Sequence, residues 1–272
     1  MKKLIGNIFK ILICVFIIGI VLFPFYIIIL TGTYSTQTMH LAVTLKPGKD
    51  FLYNLKLAYA DGKLIYWVFN SCYVGIARAA VTCIVCLMCG YGLTKYQFNG
   101  NKALSAIIMA TLMIPTSLGM VALLYEFRLL GWIDTHLPLI FAGAGSSFAV
   151  FWFQQTASEI PNELLDSARI DGSGEVNTFF KIAVPIMRPA IATIALITFI
   201  NSWNDFVMPS IVLQNTKKFT IPVGMTIVNA LYRTEHAPKI LVVVLGILPI
   251  ILIYALCSKQ VIKGLTAGSV KG

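Results

Sequence analysis

Two ionisable side chains interrupt segments of this chain that are otherwise apolar. Asp205 lies in the stretch SWNDF, and Arg78 lies midway along the apolar run 64–93. A charged group at membrane depth is costly and usually faces a bundle interior or a water-filled cavity. At about 100° per residue, four polar side chains share one helical face: Thr198, Asn201, Ser202 and Asp205. The pattern predicts a polar translocation path, suited to a solute rich in hydroxyl groups.

A structural interpretation of the same side chains stays open. Polar residues also join membrane helices by hydrogen bonds, and Asn201 with Asp205 fits that role equally well. Trp203 lies outside this arc, and its ring could stack on a sugar. For Arg78, packing or pairing within the bundle is favoured over contact with the solute.

The sequence gives little indication of catalysis or metal binding. An enzyme would need a nucleophile or an acid and a base at one depth. Only Asp205 and Arg78 qualify, and they lie on different helices, so a membrane-embedded enzyme is a weak alternative. The run CIVCLMC (83–89) has iron–sulfur spacing, but it lies within an apolar helix and lacks a fourth cysteine followed by proline. We expect no catalytic residue, no metal site and, without a Walker A sequence, no ATPase.

The composition is typical of a multi-pass membrane protein. Of 272 residues, 58% are hydrophobic and 12% are charged, with a mean hydropathy of +0.83. These values exclude a soluble globular protein. The net charge of +10 would suggest nucleic acid in a soluble chain, but here the basic residues fall mostly between apolar runs, where they contact lipid headgroups. We therefore expect a lipid bilayer as a partner and no nucleic acid.

Six apolar runs are long enough to cross a bilayer as helices. They cover about 8–30, 64–93, 103–125, 137–157, 189–213 and 240–258. Lys2, Lys3 and Lys10 precede the first run and no basic residue follows it until Lys46, which predicts a cytoplasmic N-terminus. Six crossings place the C-terminus there as well. The sequence thus predicts an all-α membrane protein with one domain over 1–272, a core over about 64–258, and a cytoplasmic loop at 158–188.

That loop is predicted to form two short helices around a glycine elbow. Ser158 and Pro161 suit the start of the first helix, and Gly172 suits its end because glycine readily adopts the left-handed conformation. Ser173 and Glu175 are expected to cap and charge the start of the second helix. An apolar stripe follows and is expected to run until Pro185 stops the helix; it consists of Val176, Phe179, Phe180 and Ala183.

The spacing of this loop resembles a known motif. Asp166-Ser167-Ala168, three residues, Gly172, nine residues and Ile182-Ala183-Val184-Pro185 are similar to the EAA loop of bacterial ABC-importer permeases, with the pattern EAA, three residues, G, nine residues, IxLP. Asp166, Ser167 and Val184 depart from that pattern in residue type, but the spacing is kept at every step.

Further stretches resemble the inner-membrane permeases of carbohydrate ABC importers, most closely the MalG-like subunits. They are Asn70-Ser71, GYGLTKYQFNG (90–100), Ile114-Pro115, IPNELLDSARIDG (160–172), SWNDF (202–206), FTIPVGM (219–225) and GLTAGSVKG (264–272). The resemblance covers the chain from the second apolar run to the C-terminus.

The resemblance implies the type I ABC importer permease (MetI-like) fold and half of a heterodimeric pore in a bacterial cytoplasmic membrane. The expected partners are a MalF-like second permease, an ATPase dimer that holds ATP and Mg, and an extracytoplasmic solute-binding protein; no cofactor is expected on this chain. The residues expected to couple to the ATPase are Asp166, Ser167, Ala168, Asp171, Gly172, Val176, Phe179, Phe180 and Pro185. A permease for a non-sugar solute remains an alternative, as does a loop that simply lies on the membrane face.

Overall fold

The computed structural model of the chain describes residues 2–35, 45–59, 63–231 and 236–267, and these residues are mainly helical. The helices are α1 (Lys2–Thr31), α2 (Phe51–Tyr59), α3 (Leu64–Lys95), α4 (Asn101–Thr111), α5 (Met120–Leu129), α6 (Leu137–Phe141), α7 (Ser147–Ser158), α8 (Asn162–Ile170), α9 (Glu175–Ile186), α10 (Arg188–Asn204), α11 (Val207–Val212), α12 (Ile221–Leu231) and α13 (His236–Ala267).

Within the described residues, three helices are long and apolar enough to cross a membrane by themselves. The spans are Gly6–Thr31 in α1, Leu64–Lys95 in α3 and His236–Ala255 in α13. They agree with the predicted runs 8–30, 64–93 and 240–258. An 18-residue apolar stretch of the span in α1 has no buried residues, and a helix that is apolar all round suits a lipid environment.

The three other predicted spans are not continuous helices, so the sequence prediction was wrong in that respect. The run 103–125 is divided between α4 and α5, the run 137–157 between α6 and α7, and the run 189–213 between α10 and α11. A proline at Pro115 and glycines at Gly143 and Gly145 lie in the first two interruptions, where they favour non-helical backbone. The helix α10 also follows α9 through a bend of 75°, and the pair would add a fourth span only if both helices crossed the membrane as one.

The chain divides into two compact units. The first comprises Met1–Ile65 and Gly224–Leu248. In this unit the buried side chain of Asn54 donates to the carbonyls of Gly32 and Tyr34 at 3.0 and 2.8 Å. These bonds fix α2 against the turn that follows α1. The helix α2 was not predicted from the sequence.

The second unit comprises Tyr66–Val223 and Pro249–Gly272. One cluster of buried side chains joins α3, α7, α8, α9 and α10, and it includes Cys86, Phe153, Leu165, Ala183 and Ile194. A second cluster joins α3, α5, α6 and α11, and it includes Val74, Phe127, Leu139 and Val212. The helices α3 and α7 approach closely at Gly90, because a Cβ at this position would lie 2.8 Å from the Cβ of Phe153.

Candidate functional site

A cavity of about 640 Å³ lies in the second unit, at the point where the interrupted helices meet. All three interruptions contribute lining residues: Leu112 and Ile114 between α4 and α5, Ala142, Gly143, Gly145 and Ser146 between α6 and α7, and Asp205 between α10 and α11. Irregular backbone at membrane depth is tolerated where it is covered by protein or lines a wet cavity. The position of the breaks therefore indicates a functional cavity.

Arg78 and Asp205 form an ion pair in the wall of this cavity. Nη1 of Arg78 lies 3.4 Å from Oδ2 of Asp205, and their side chains are 21% and 25% exposed. The preference for Arg78 as a pairing residue agrees with this contact, although Arg78 also lines the cavity. Gly143 makes room for the guanidinium group, because a Cβ at this position would lie 2.5 Å from Nε of Arg78.

The segment between α6 and α7 is held in its unwound form by side chains of α3. Thr82 donates to the Gly143 carbonyl at 3.1 Å, and the Cys86 thiol lies 3.3 and 3.5 Å from the Ala144 and Ser146 carbonyls. The small residues at 142–146 thus form a break in which the carbonyls of Gly143, Ala144 and Ser146 are satisfied from α3, as buried backbone groups require.

The predicted polar face of α10 is divided. Thr198, Asn201 and Asp205 line the cavity. Ser202 is only 6% exposed and is not among the lining residues, so it lies behind the cavity wall. Trp203 is buried against Phe199, with ring centroids 5.5 Å apart, so it cannot stack on a solute. The aromatic ring that lines the cavity is that of Phe148, which sequence reasoning missed because α7 reads as an ordinary apolar helix.

Asp205 does not lie inside a helix. It follows the last residue of α10 with an extended backbone (φ −68°, ψ 118°), and its Oδ1 accepts the backbone N–H of Met208 at 3.3 Å. A carboxylate at this place satisfies an amide that the start of α11 leaves unpaired. A carboxylate is unfavourable at membrane depth. That of Asp205 is stabilised there by the start of α11 and by Arg78.

The glycine elbow of the loop is present. Gly172 has a φ of +83°, its N–H donates to the Arg169 carbonyl at 3.0 Å, and the Ser173 N–H donates to the Ala168 carbonyl at 2.9 Å. This pair of bonds is a Schellman motif, which ends a helix through a left-handed residue. The start of α8 differs from the prediction, because Ser158 still belongs to α7 and Pro161 directly precedes α8.

A network of charged side chains bridges the elbow. Arg169 donates to Asp166 at 2.7 Å and to Glu175 at 2.8 Å, and the Tyr96 phenol at the end of α3 donates to Glu175 at 2.6 Å. Burial and the Glu175 carboxylate raise the pKa of Tyr96 to about 12. Sequence reasoning missed Arg169 and Tyr96. The available signal was an opposite-charge pair, Arg169 and Glu175, on the two sides of a glycine.

The other predicted coupling residues lie around this network. The Ser167 hydroxyl donates to the Glu163 carbonyl at 2.7 Å, Ala168 is buried, and Asp171 is exposed. Glu175 lies in the first turn of α9 as predicted, but no side chain caps that helix: Ser173 instead accepts bonds from Asn177 and Thr178.

The apolar stripe of α9 separates into two pairs. Phe179 and Ala183 are buried against the bundle, whereas Val176 and Phe180 are 72% and 58% exposed. The predicted single stripe was therefore wrong. Residues 179–183 form a π-helical turn, and Pro185 follows in a short helical turn that continues to Ile186. Pro185 does not stop the helix. It directly follows the π-helical turn, where the regular hydrogen-bond pattern is already interrupted, so its missing N–H is tolerated.

A second polar arrangement organises the segment 213–220. Oδ1 of Asp134 accepts the backbone N–H groups of Gln214 and Asn215 at 2.9 Å each, and Oδ2 lies 2.8 Å from Nζ of Lys218. These hydrogen bonds, led by the one from Asn215, lower the pKa of Asp134 to about 2. Trp67 and Asn70 of α3 donate to carbonyls of the same segment. Sequence reasoning gave no role to these residues.

Residues 84–264 match the family described as "Binding-protein-dependent transport system inner membrane component". Over 220 residues the chain is 36% identical to the arabinooligosaccharides transport system permease protein AraQ of Bacillus subtilis, covering 80% of this chain and 78% of that protein. The AraQ protein of Halalkalibacterium halodurans is 33% identical over 261 residues, with 94% of each chain covered. The lactose transport system permease protein LacG of Rhizobium radiobacter is 29% identical, covering 92% and 91%.

The fold is similar to that of a solved transporter chain. The TM-score is 0.78 against a chain of a bacterial ABC transporter involved in the import of the acidic polysaccharide alginate. The match covers 94% of this chain and 96% of that chain at 20% identity. At this identity the likeness establishes the fold alone.

Proposed function

Because the chain belongs to the family of binding-protein-dependent transport system inner membrane components, we propose that it is a permease subunit of an ABC importer for sugars or oligosaccharides. Relatives named for arabinooligosaccharides and lactose support this solute class. The relatives are named as permeases, which favours transport over a membrane-embedded enzyme.

The observation that carries the proposal is the polar cavity of about 640 Å³ where three helix breaks meet. Ligand sites typically have volumes of about 300–1,000 Å³ and combine apolar walls with a few placed polar groups. Arg78, Asn201, Thr198 and Asp205 supply donors and acceptors, while Phe148 supplies an apolar face. Hydroxyl groups of a sugar both donate and accept, so this lining is suited to the passage of a sugar.

The loop at 158–188 is proposed to couple this path to a separate ATPase. Val176 and Phe180 project an exposed apolar surface from a helix whose other face is anchored in the bundle. Exposed apolar patches often mark sites of protein contact. Gly172 and the Arg169 network would make α8 and α9 move as one body, with Asp166, Ser167 and Asp171 on its exposed side.

The interrupted segments are proposed to complete six crossings, with both termini in the cytoplasm of a bacterial cell. Two half-length helices joined by irregular backbone can cross a bilayer when the irregular part lines a cavity, which is the arrangement at each break. In this orientation α8 and α9 lie on the cytoplasmic side. A second permease subunit, a solute-binding protein outside the cell and an ATPase dimer carrying ATP and Mg complete the proposed importer.

Reconstitution tests the proposal. The chain is assembled with the candidate second permease and ATPase in proteoliposomes, and the uptake of arabinotriose is measured with the binding protein present. We expect uptake that requires both ATP and the ATPase, and that falls to background when the ATPase is omitted. Solute movement that persists without the ATPase would contradict the proposal.

A further inference from the structure

The ion pair in the cavity is loosely made. Charge-assisted N–H···O bonds in proteins are typically about 2.7–2.9 Å long, whereas the contact between Arg78 and Asp205 is 3.4 Å and involves one nitrogen, Nη1. Nε of Arg78 is buried and has no hydrogen-bond partner among the described residues. The Arg78 side chain is 21% exposed and its guanidinium group carries five N–H donors, so the accessible N–H groups that do not face Asp205 can bind an oxygen atom.

Neighbouring side chains also have unused capacity. Thr198 and Asn201 line the cavity, and their side chains make no hydrogen bond to another residue within the described part of the chain. Their hydroxyl and amide groups can each donate and accept. Together with Arg78 and Asp205 they form a patch that complements alcohol groups, which also donate and accept.

The charge of the cavity is balanced. Of the lining residues that the structure describes, Arg78 and Asp205 are the ionisable ones, and their charges cancel. An anionic solute would have to displace the Asp205 carboxylate from Arg78 and would then leave that carboxylate unpaired. Such an uncompensated charge away from water is strongly unfavourable. A neutral solute meets no such cost, because its hydroxyl groups can bond to both members of the pair.

We propose that Arg78 and Asp205 together bind neighbouring hydroxyl groups of a neutral saccharide, and that their charge balance makes the cavity reject anionic saccharides. The guanidinium donates to the sugar oxygens and the carboxylate accepts from the sugar hydroxyls, with Thr198 and Asn201 binding the remaining polar groups. Phe148 lies against the C–H face of the ring. This inference rests on the proposed function of the chain as a sugar permease and adds the charge class of its substrate.

Direct binding to the assembled importer tests the inference. The two probes are arabinotriose, which is neutral, and trimannuronate, which is anionic, and their affinities are measured by saturation-transfer NMR on the purified complex in nanodiscs. Asp205→Asn leaves Arg78 without its counter-charge. We expect about a tenfold gain in affinity for trimannuronate, since hydrogen bonds to charged groups are the stronger ones, together with weaker binding of arabinotriose. Glu126→Gln removes an exposed carboxylate that does not line the cavity and should leave the ratio of affinities unchanged.

A second variant covers the case in which Asp205→Asn fails to assemble. Asn201→Lys adds a positive charge to the same cavity without touching the ion pair, and it should also raise the affinity for trimannuronate. The inference is overturned if each variant that assembles leaves the ratio of the two affinities at the wild-type value. One outcome separates the inference from the proposed function. If the wild-type importer takes up arabinotriose in the ATP-dependent assay but the variants keep the wild-type ratio of affinities, the inference fails and the proposed function stands. If it takes up neither probe, both fail.

Discussion

The cavity and the loop elbow each contain an arginine paired with a carboxylate, but the two pairings differ in the number and the length of their hydrogen bonds. In the loop, Arg169 meets Asp166 at 2.7 Å and Glu175 at 2.8 Å, and Tyr96 adds a bond of 2.6 Å. In the cavity, Arg78 meets Asp205 once, at 3.4 Å. Short bonds shared among several partners hold one geometry, whereas a single long contact is easily exchanged for another. The loop is thus suited to transmit a movement, and the cavity is suited to change during it.

The largest effect is expected at the elbow. Gly172→Val places a β-branched residue at a φ of +83°, where the left-handed conformation costs about 1–2 kcal/mol and therefore shifts an equilibrium about 5–30-fold. Because no atom lies within 4 Å of a Cβ at this position, the backbone conformation alone is changed. We expect uptake per ATP hydrolysed to fall by a similar factor while the protein still inserts. Uptake and hydrolysis are measured in the same proteoliposomes.

The control for this variant is Gly174→Ala. Gly174 lies two residues away with a φ of −70°, and a Cβ there also meets nothing within 4 Å. Its uptake should equal that of the wild type. Equal losses in the two variants would show that the elbow conformation is not what matters.

The next effect is expected in the cavity wall. Gly143→Ala puts a Cβ 2.5 Å from Nε of Arg78 and forces the guanidinium away from its position beside Asp205. Overpacking of this kind costs about 1–3 kcal/mol, and we expect uptake to fall about tenfold. Gly145→Ala is the matched control, since a Cβ at Gly145 meets nothing within 4 Å. If both variants transport sugar at the wild-type rate, the position of Arg78 is not important for transport.

A moderate effect is expected for the segment 213–220. Asp134→Asn weakens bonds to Gln214, Asn215 and Lys218, and a loss of about 1 kcal/mol lowers the unfolding midpoint of a chain of this size by about 2–4 °C. The folded-state pKa of Asp134 is lowered to about 2. Its stabilising contribution is therefore complete above the unfolded-state pKa, near 3.9, and is lost as the pH falls through about 2.

The pH dependence provides the check on Asp134. In thermal unfolding of the purified importer, the difference between the wild type and Asp134→Asn should be constant from pH 7 to pH 5 and should shrink below about pH 4. A difference that stays constant below pH 4 would exclude the carboxylate charge as its cause.

The smallest effect is expected in the exposed network of the loop. Arg169→Met removes the contacts with Asp166 and Glu175, but exposed ion pairs contribute little to stability. We expect insertion and ATPase binding to be retained, and uptake per ATP to fall about two- to threefold because α8 and α9 no longer move together. Arg188→Met, which removes an exposed arginine with no ion pair among the described residues, should not change this ratio.

The elements that could be predicted from the sequence are those with one strong local cause. The continuous apolar runs gave α1, α3 and α13, and the need for a left-handed residue identified the elbow at Gly172. The helix breaks were missed because hydropathy is high on both sides of them, so a scan for apolar runs passes through Gly143 and Asp205 without a change. Pro115 and the glycines of the second break were the available signals.

The site was predicted less well because its members come from separate parts of the chain. Arg78 and Asp205 are 127 residues apart, and no pattern in either helix indicates the other. On α10, Thr198, Asn201 and Asp205 line the cavity, whereas Ser202 lies at the edge of the arc and is buried. On α9 the single stripe failed because burial follows two separate pairs of residues, which sequence periodicity alone does not distinguish.

The central claim is that nucleotide on a separate ATPase changes access to the cavity. It is tested by Asn201→Cys in an importer whose native cysteines are replaced, labelled with a membrane-impermeant thiol reagent added outside sealed proteoliposomes. We predict that the labelling rate changes at least severalfold when the ATPase is trapped in its ATP-bound form, and that it returns to its starting value after hydrolysis. The same labelling rate with and without ATP, in an importer that is taking up sugar, would contradict the account.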